Sequence, residues 1–157
     1  MKVAVLGIGS PHGDDQIGWL LLDELQKTTA HPDIHWEKVS APVTSLVNQL
    51  SAFDHILAID AADIGLAPGE YVFLEDAENA LDQKETVVSS HSMGLLESWQ
   101  MAKALKMKLP RVSLFLVQLE QCEPMQAISP SLQNKFPDML EKVTCLFLDN
   151  KTERFSV

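Results

Sequence analysis

Apolar residues occur along the chain either in short continuous runs or at helical spacing, the pattern of an α/β protein. Val3–Leu6 is apolar throughout, as expected for a strand that is covered on both faces. From Ile17 onward, Leu20, Leu21 and Leu25 follow helical spacing. Further strands are predicted at Ile34–Val39, His55–Asp60, Tyr71–Leu74 and Arg111–Leu119. Further helices are predicted at Pro42–Leu50, at Leu95–Leu105 and from Ser129 to about Leu148. Pro137 should kink or restart the last of these helices.

The order β-α-β-α-β predicts a parallel sheet with right-handed crossovers and helices on both faces. The short run Tyr71–Leu74 follows a Pro-Gly turn, which favours an antiparallel edge strand. Of the 157 residues, 46% are hydrophobic and 22% are charged. This composition predicts one domain over residues 1–157 with a sizeable core.

The formal charge of -10 would repel phosphate backbones and anionic lipid surfaces, so nucleic acid and membrane are excluded as expected partners. The N-terminal apolar run is broken at Gly7, which does not match a signal peptide, and we expect the cytoplasm as location. The only two cysteines, Cys122 and Cys145, are too few for a disulfide framework. We therefore expect both to be reduced core residues.

Three ionisable side chains come at the carboxyl ends of predicted strands or at the start of the following helix: Asp15, Asp60 and His91. In an open parallel sheet such positions meet at one rim. Two carboxylates and one imidazole would form a three-ligand metal site with an open fourth position, which suits catalysis by zinc or nickel. A helix N-terminus would help to keep His91 neutral, the form that binds metal.

Each residue also has a simpler interpretation. Asp14 or Asp15 would cap the first helix, Asp60 could bond backbone amides of the next loop, and His91 among serines could be a capping or surface residue. The glycines before Asp14 suggest a dinucleotide-binding turn, but the third glycine of that fingerprint is replaced by His12. Adjacent carboxylates would also repel a pyrophosphate, so we exclude this site.

The opening segment, residues 5–18, resembles the amino-terminal motif of the hydrogenase maturation proteases, which process the large subunit of nickel-iron hydrogenases. The resemblance continues in the same order through most of the chain. It rests on Val5-Leu6-Gly7-Ile8-Gly9-Ser10, Asp14-Asp15-Gln16-Ile17-Gly18, Ile59-Asp60-Ala61, Ser90-His91-Ser92-Met93-Gly94-Leu95, Leu119-Glu120-Gln121-Cys122-Glu123-Pro124 and Ser129-Pro130.

This resemblance implies a three-layer α/β/α sandwich with a twisted, mainly parallel sheet. It implies an endopeptidase that removes a short C-terminal extension from the large-subunit precursor once nickel has been inserted. Asp15, Asp60 and His91 stand at the family's metal-contacting positions, and the nickel would arrive with the precursor, with zinc or another divalent ion as a possible substitute. We expect a monomer that binds the precursor transiently, with Asp14 capping the first helix.

Some residues depart from the family pattern. Ser10 stands where the family usually has Asn, Gln16 where it has a small residue, and Leu119 where it has Pro. Because these changes fall in loops around the predicted metal site, one alternative function is a non-cleaving chaperone or nickel-checking module for hydrogenase assembly. A third is a general metallohydrolase with a resident ion.

Overall fold

The computed structural model describes residues 1–29, 31–40, 44–82 and 92–149. Five strands form one sheet in the order β2-β1-β3-β5-β4, and helices cover both of its faces. The strands are β1 (Val3–Ile8), β2 (Ile34–Val39), β3 (His55–Ala62), β4 (Tyr71–Leu74) and β5 (Arg111–Gln118). The helices are α1 (Ile17–Thr28), α2 (Thr44–Ala52), α3 (Glu78–Asp82), α4 (Ser92–Ala104) and α5 (Pro130–Val143). A 3₁₀ turn at Gly13–Gln16 precedes α1, and a π turn at Thr144–Leu148 follows α5.

The pairing of the strands confirms the predicted fold class. β1 pairs in parallel with β2 and β3, and β3 pairs in parallel with β5. β4 runs antiparallel to β5, beside which it forms one edge of the sheet. The prediction of one domain over residues 1–157 stays a prediction.

Alternating side chains of the strands form two separate cores. In β1, Val3 and Val5 pack under α1 and α5, whereas Ala4, Leu6 and Ile8 pack under α2, α3 and α4. Successive side chains of a strand point to opposite faces, so an uninterrupted apolar run can supply both cores. The sheet is therefore the middle of three layers.

Three predictions about the elements need correction. β1 does not end at Leu6 but continues to Ile8. β3 does not end at Asp60 but continues to Ala62, because its pairing with β5 extends through Ala62 and Gln118. α5 runs without a restart through Pro137, and the irregular turn comes later, at Thr144–Leu148. None of the helices in the described part of the chain has the length and apolar character needed to cross a bilayer.

Helix α1 approaches the sheet closely at Gly18. A Cβ atom at this position would overlap the carbonyl oxygen of Ile8 and lie 2.6 Å from that of Ile59. Both obstacles are main-chain atoms of central strands, which cannot swing aside as a flexible side chain would. The absence of a side chain at Gly18 thus brings the start of α1, and the 3₁₀ turn before it, against the ends of β1 and β3.

Replacing Gly18 with Ala should destabilise the protein by about 2 kcal/mol, because overpacking against fixed backbone outweighs the gain in helix propensity. Urea unfolding would measure the change. Gly65→Ala is the matched control: Gly65 has a φ of +77°, but a Cβ atom added there would have no neighbour within 4 Å, so only backbone strain of about 1 kcal/mol applies. A loss at Gly18 no greater than that at Gly65 would contradict the close-packing argument.

Candidate active site

The 3₁₀ turn Gly13–Gln16 and the end of β3 meet at the carboxyl edge of the sheet. The turn contacts β3 directly, and the close packing at Gly18 holds it there. Gly7 pairs with Ile59, so Asp60 stands one residue beyond the last register pair between β1 and β3. The structure therefore brings the elements that carry Asp15 and Asp60 to the same rim, as predicted.

Asp15 is almost completely buried, with 7% of its surface exposed. The Ser10 hydroxyl donates a hydrogen bond to Asp15 Oδ2 over 3.1 Å, and the Cys122 thiol donates one to Oδ1 over 3.3 Å. These donors come from the loop before the turn and from the loop after β5. Both carboxylate oxygens of Asp15 are thus held from opposite sides by uncharged groups.

Cys122 does not belong to the core, and neither does Cys145. Both residues are exposed, so the expectation of core cysteines is wrong. Partial burial of the thiol raises the pKa of Cys122 to about 12, and the negative charge of Asp15 and the hydrogen bond to it act in the same direction. Near neutral pH the thiol is therefore protonated and can act as a donor.

Asp14 is fully buried, and its role differs from that of Asp15. Its carboxylate accepts four hydrogen bonds: from the backbone N–H groups of Glu120, Gln121 and Ser129, at 2.7, 3.0 and 2.7 Å, and from the Ser129 hydroxyl at 2.9 Å. The prediction that Asp14 caps α1 is wrong, because α1 begins after Gln16 without a side-chain cap. Asp14 instead fastens the turn to the loop between β5 and α5.

The same contact determines the orientation of the Ser129 side chain. Ser129 directly precedes the first residue of α5, but its side chain makes no capping hydrogen bond. Its hydroxyl is directed to Asp14, and its carbonyl accepts from the backbone N–H groups of Leu132 and Gln133. A polar group in a buried position is drawn to the strongest acceptor nearby, here a carboxylate.

Asp60 lies inside β3 and is 2% exposed. Ile56 and Ala58 of the same strand face the core under α2 and α4, and alternation puts the Asp60 side chain on that face. Its Oδ1 accepts a hydrogen bond from the backbone N–H of Ala61 over 2.8 Å. Because Ala61 belongs to β3, this contact does not confirm the simpler interpretation, in which Asp60 bonds backbone amides of the next loop.

Gln118, at the end of β5, orders the loop that follows β3. Its Oε1 accepts from the backbone N–H groups of Ile64 and Leu66, and its Nε2 donates to Asp63. Sequence reasoning missed Gln118 and also the contacts of Ser10 and Cys122. A polar residue that closes an otherwise apolar strand was the available signal for Gln118, whereas Ser10 and Cys122 carry no local signal.

His91 lies outside the described residues, so its predicted role as a ligand is neither confirmed nor contradicted. The described helix α4 begins at the next residue, Ser92. Lys108, which follows α4, forms an ion pair with Asp54, the residue before β3, with 2.6 Å between Lys108 Nζ and Asp54 Oδ1. The chain after α4 has therefore returned to the amino edge of the sheet, so the first residues of α4 lie nearer the carboxyl edge. Within the described ranges, no group of three His, Cys, Asp or Glu residues is arranged to hold a metal.

Comparison with known proteins identifies the class of protein to which this arrangement belongs. The family model described as hydrogenase maturation protease, HycI, matches residues 41–145, which is more than half of the chain. A search of the curated proteins found no match.

Solved structures share the fold. HybD, a hydrogenase maturating endopeptidase from E. coli, has a TM-score of 0.77 at 22% identity, over 96% of this chain and 94% of that one. HycI, a [NiFe] hydrogenase maturation protease from Thermococcus kodakarensis, has a TM-score of 0.71 at 21% identity, over 90% and 89%.

The chain belongs to the hydrogenase maturation protease family. The general function of this family of endopeptidases is cleavage of the C-terminus of the hydrogenase large subunit.

Replacing Asp14 with Ala should lower the free energy of unfolding by about 3–5 kcal/mol, because four donors would lose a charged acceptor and three are backbone groups that cannot turn away. Urea unfolding of the variant would measure the loss. Asp33→Ala, which removes an exposed carboxylate before β2, is the control and should change stability by less than about 0.5 kcal/mol. A loss below about 1 kcal/mol at Asp14 would show that this junction is not structural.

Alkylation of Cys122 by iodoacetamide should be slow and should rise about tenfold per pH unit between pH 7 and 9, because the thiolate is scarce well below its pKa of about 12. A Cys145→Ser background leaves Cys122 as the single thiol for mass spectrometry. Asp15→Asn removes the adjacent charge, lowers the Cys122 pKa and should speed the reaction roughly three- to tenfold. Asp33→Asn should leave the rate unchanged. Equal rates in the two variants would contradict the Asp15 contact.

Proposed function

We propose that this protein is the endopeptidase that removes the C-terminal extension of a nickel-iron hydrogenase large-subunit precursor after nickel insertion. Asp15, Asp60 and His91 would contact the nickel that the precursor presents. The observation that carries the proposal is the position of Asp15 and Asp60, two buried carboxylates on elements that meet at one rim of a hydrogenase maturation protease fold. The position of His91, one residue before α4, supports including it as the third contact.

The chemistry of the described carboxylates fits a divalent cation. Carboxylate oxygens and an imidazole nitrogen are ligands that suit nickel and zinc. The Ser10 and Cys122 donors orient Asp15 without neutralising its charge, because both are uncharged groups. Burial lowers the local dielectric, so attraction between the carboxylates and a cation is stronger here than at an open surface.

The residues of the chain would bind and orient, while nickel arrives as part of the substrate. The ion would supply Lewis acidity, by polarising the scissile carbonyl or by lowering the pKa of a water molecule. Asp15 and Asp60, fixed on a turn and on a central strand, would hold the precursor so that its C-terminal segment lies at the rim. The proposal also includes action as a monomer on one folded precursor in the cytoplasm, and zinc or another divalent ion as a possible substitute.

The experiment that tests the function mixes the purified protein with nickel-loaded and nickel-free precursor. Mass spectrometry of the precursor should show loss of a C-terminal peptide only in the nickel-loaded sample. Binding of the loaded precursor without any shortening would overturn the protease proposal and favour a non-cleaving nickel-checking module. Equal cleavage of the two precursors would overturn the role of substrate-borne nickel.

His91→Ala should abolish cleavage while leaving the thermal midpoint of the protein unchanged. Asp15→Asn and Asp60→Asn should each slow cleavage at least about a hundredfold, because even partners that only orient metal ligands are worth ten- to a hundredfold. Asp33→Asn serves as the matched control and should cleave at the wild-type rate. Full-rate cleavage by the His91 variant would refute its assignment.

A further inference from the structure

We propose that Cys122 is a positioning residue for the reaction, which acts by fixing the carboxylate of Asp15. This inference rests on the proposed function, because it assumes that Asp15 contacts the substrate's metal. Cys122 Sγ lies 3.3 Å from Asp15 Oδ1, and Ser10 Oγ lies 3.1 Å from Oδ2. Because a donor from the loop of Cys122 or from Ser10 contacts each oxygen, rotation of the carboxylate about its Cβ–Cγ bond would break one of these hydrogen bonds or both.

The loop that carries Cys122 is fastened on both sides of this residue. Before it, the backbone N–H groups of Glu120 and Gln121 donate to Asp14. After it, the backbone N–H of Glu123 donates to the Gln121 side chain over 2.8 Å. Both neighbours of Cys122 are therefore linked to Asp14, Gln121 directly and Glu123 through the Gln121 side chain.

The far end of the same loop is tied to the turn that carries Asp15. Gln16 Nε2 donates to the carbonyl of Gln126 over 2.6 Å, and the backbone N–H of Gly13 donates to that carbonyl over 3.1 Å. Loop and turn form one body, so the distance between the Cys122 thiol and Asp15 is set by the backbone rather than by a flexible side chain alone. Such preorganisation is what a positioning group requires.

The chemistry of the pair defines the direction of the hydrogen bond. An ionised carboxylate can only accept, so the thiol must donate its proton to Asp15. A hydroxyl at position 122 could donate in the same way, whereas a methyl group could not. Serine is thus the conservative replacement, and alanine is the replacement that removes the function. A role of Cys122 as a nucleophile or as a soft metal ligand would not be restored by serine in this manner.

The test measures kcat and KM for cleavage of the nickel-loaded precursor by Cys122→Ala and Cys122→Ser. The alanine variant should lose about ten- to a hundredfold in kcat, the range for groups that orient a metal ligand, with KM and the thermal midpoint unchanged. The serine variant should retain kcat within about threefold of the wild type. Cys145→Ala removes the other exposed cysteine, on the π turn, and should leave both constants unchanged.

The outcomes separate this inference from the proposed function. If the wild-type protein cleaves and Cys122→Ala cleaves equally fast, the positioning role is wrong and the protease function stands. A serine variant as slow as the alanine variant, or a change in KM alone, likewise overturns the positioning role. If the wild-type protein does not cleave the loaded precursor, the proposed function fails and this inference fails with it.

Discussion

The arrangement of the rim depends on one buried carboxylate, that of Asp14. A charged group removed from water is costly unless its hydrogen-bonding capacity is satisfied, and four donors satisfy Asp14. All four come from the segment between β5 and α5, so the solvation of this carboxylate requires that segment to lie against the turn after β1. This requirement also places the Cys122 thiol within hydrogen-bonding distance of Asp15 and so determines the shape of the rim.

Much of the fold could be predicted from the sequence because its signals are local. The apolar run Val3–Leu6 and the helical spacing after Ile17 report directly on burial, and the predicted bounds of β2 and β4 are those observed. The predicted end of β3 at Asp60 is wrong, although a charged residue usually marks the end of a strand. Here pairing with β5 carries the strand two residues further, and this long-range effect leaves no trace near Asp60.

The site was harder to predict, for a reason that Asp14 and Asp15 illustrate. The two residues are chemically identical neighbours, and their different roles are decided by partners more than a hundred positions away in sequence. Strand-end logic could select Asp15 and Asp60 as rim residues, but it could not find Ser10 or Cys122, whose types are common in any loop. Ser10 and Cys122 contact Asp15 only because the fold brings together two loops that are distant in sequence.

Gln16, one of the residues that departs from the family pattern, has its amide bonded to the loop after β5. The turn and that loop are distant in sequence, but hydrogen bonds join them at several points. The two segments are structurally coupled, because a substitution on one side leaves an unmatched donor or acceptor unless the other side still supplies a partner. Ser10 and Gln16 are therefore best understood together with Cys122 and Gln126, as one connected set of contacts.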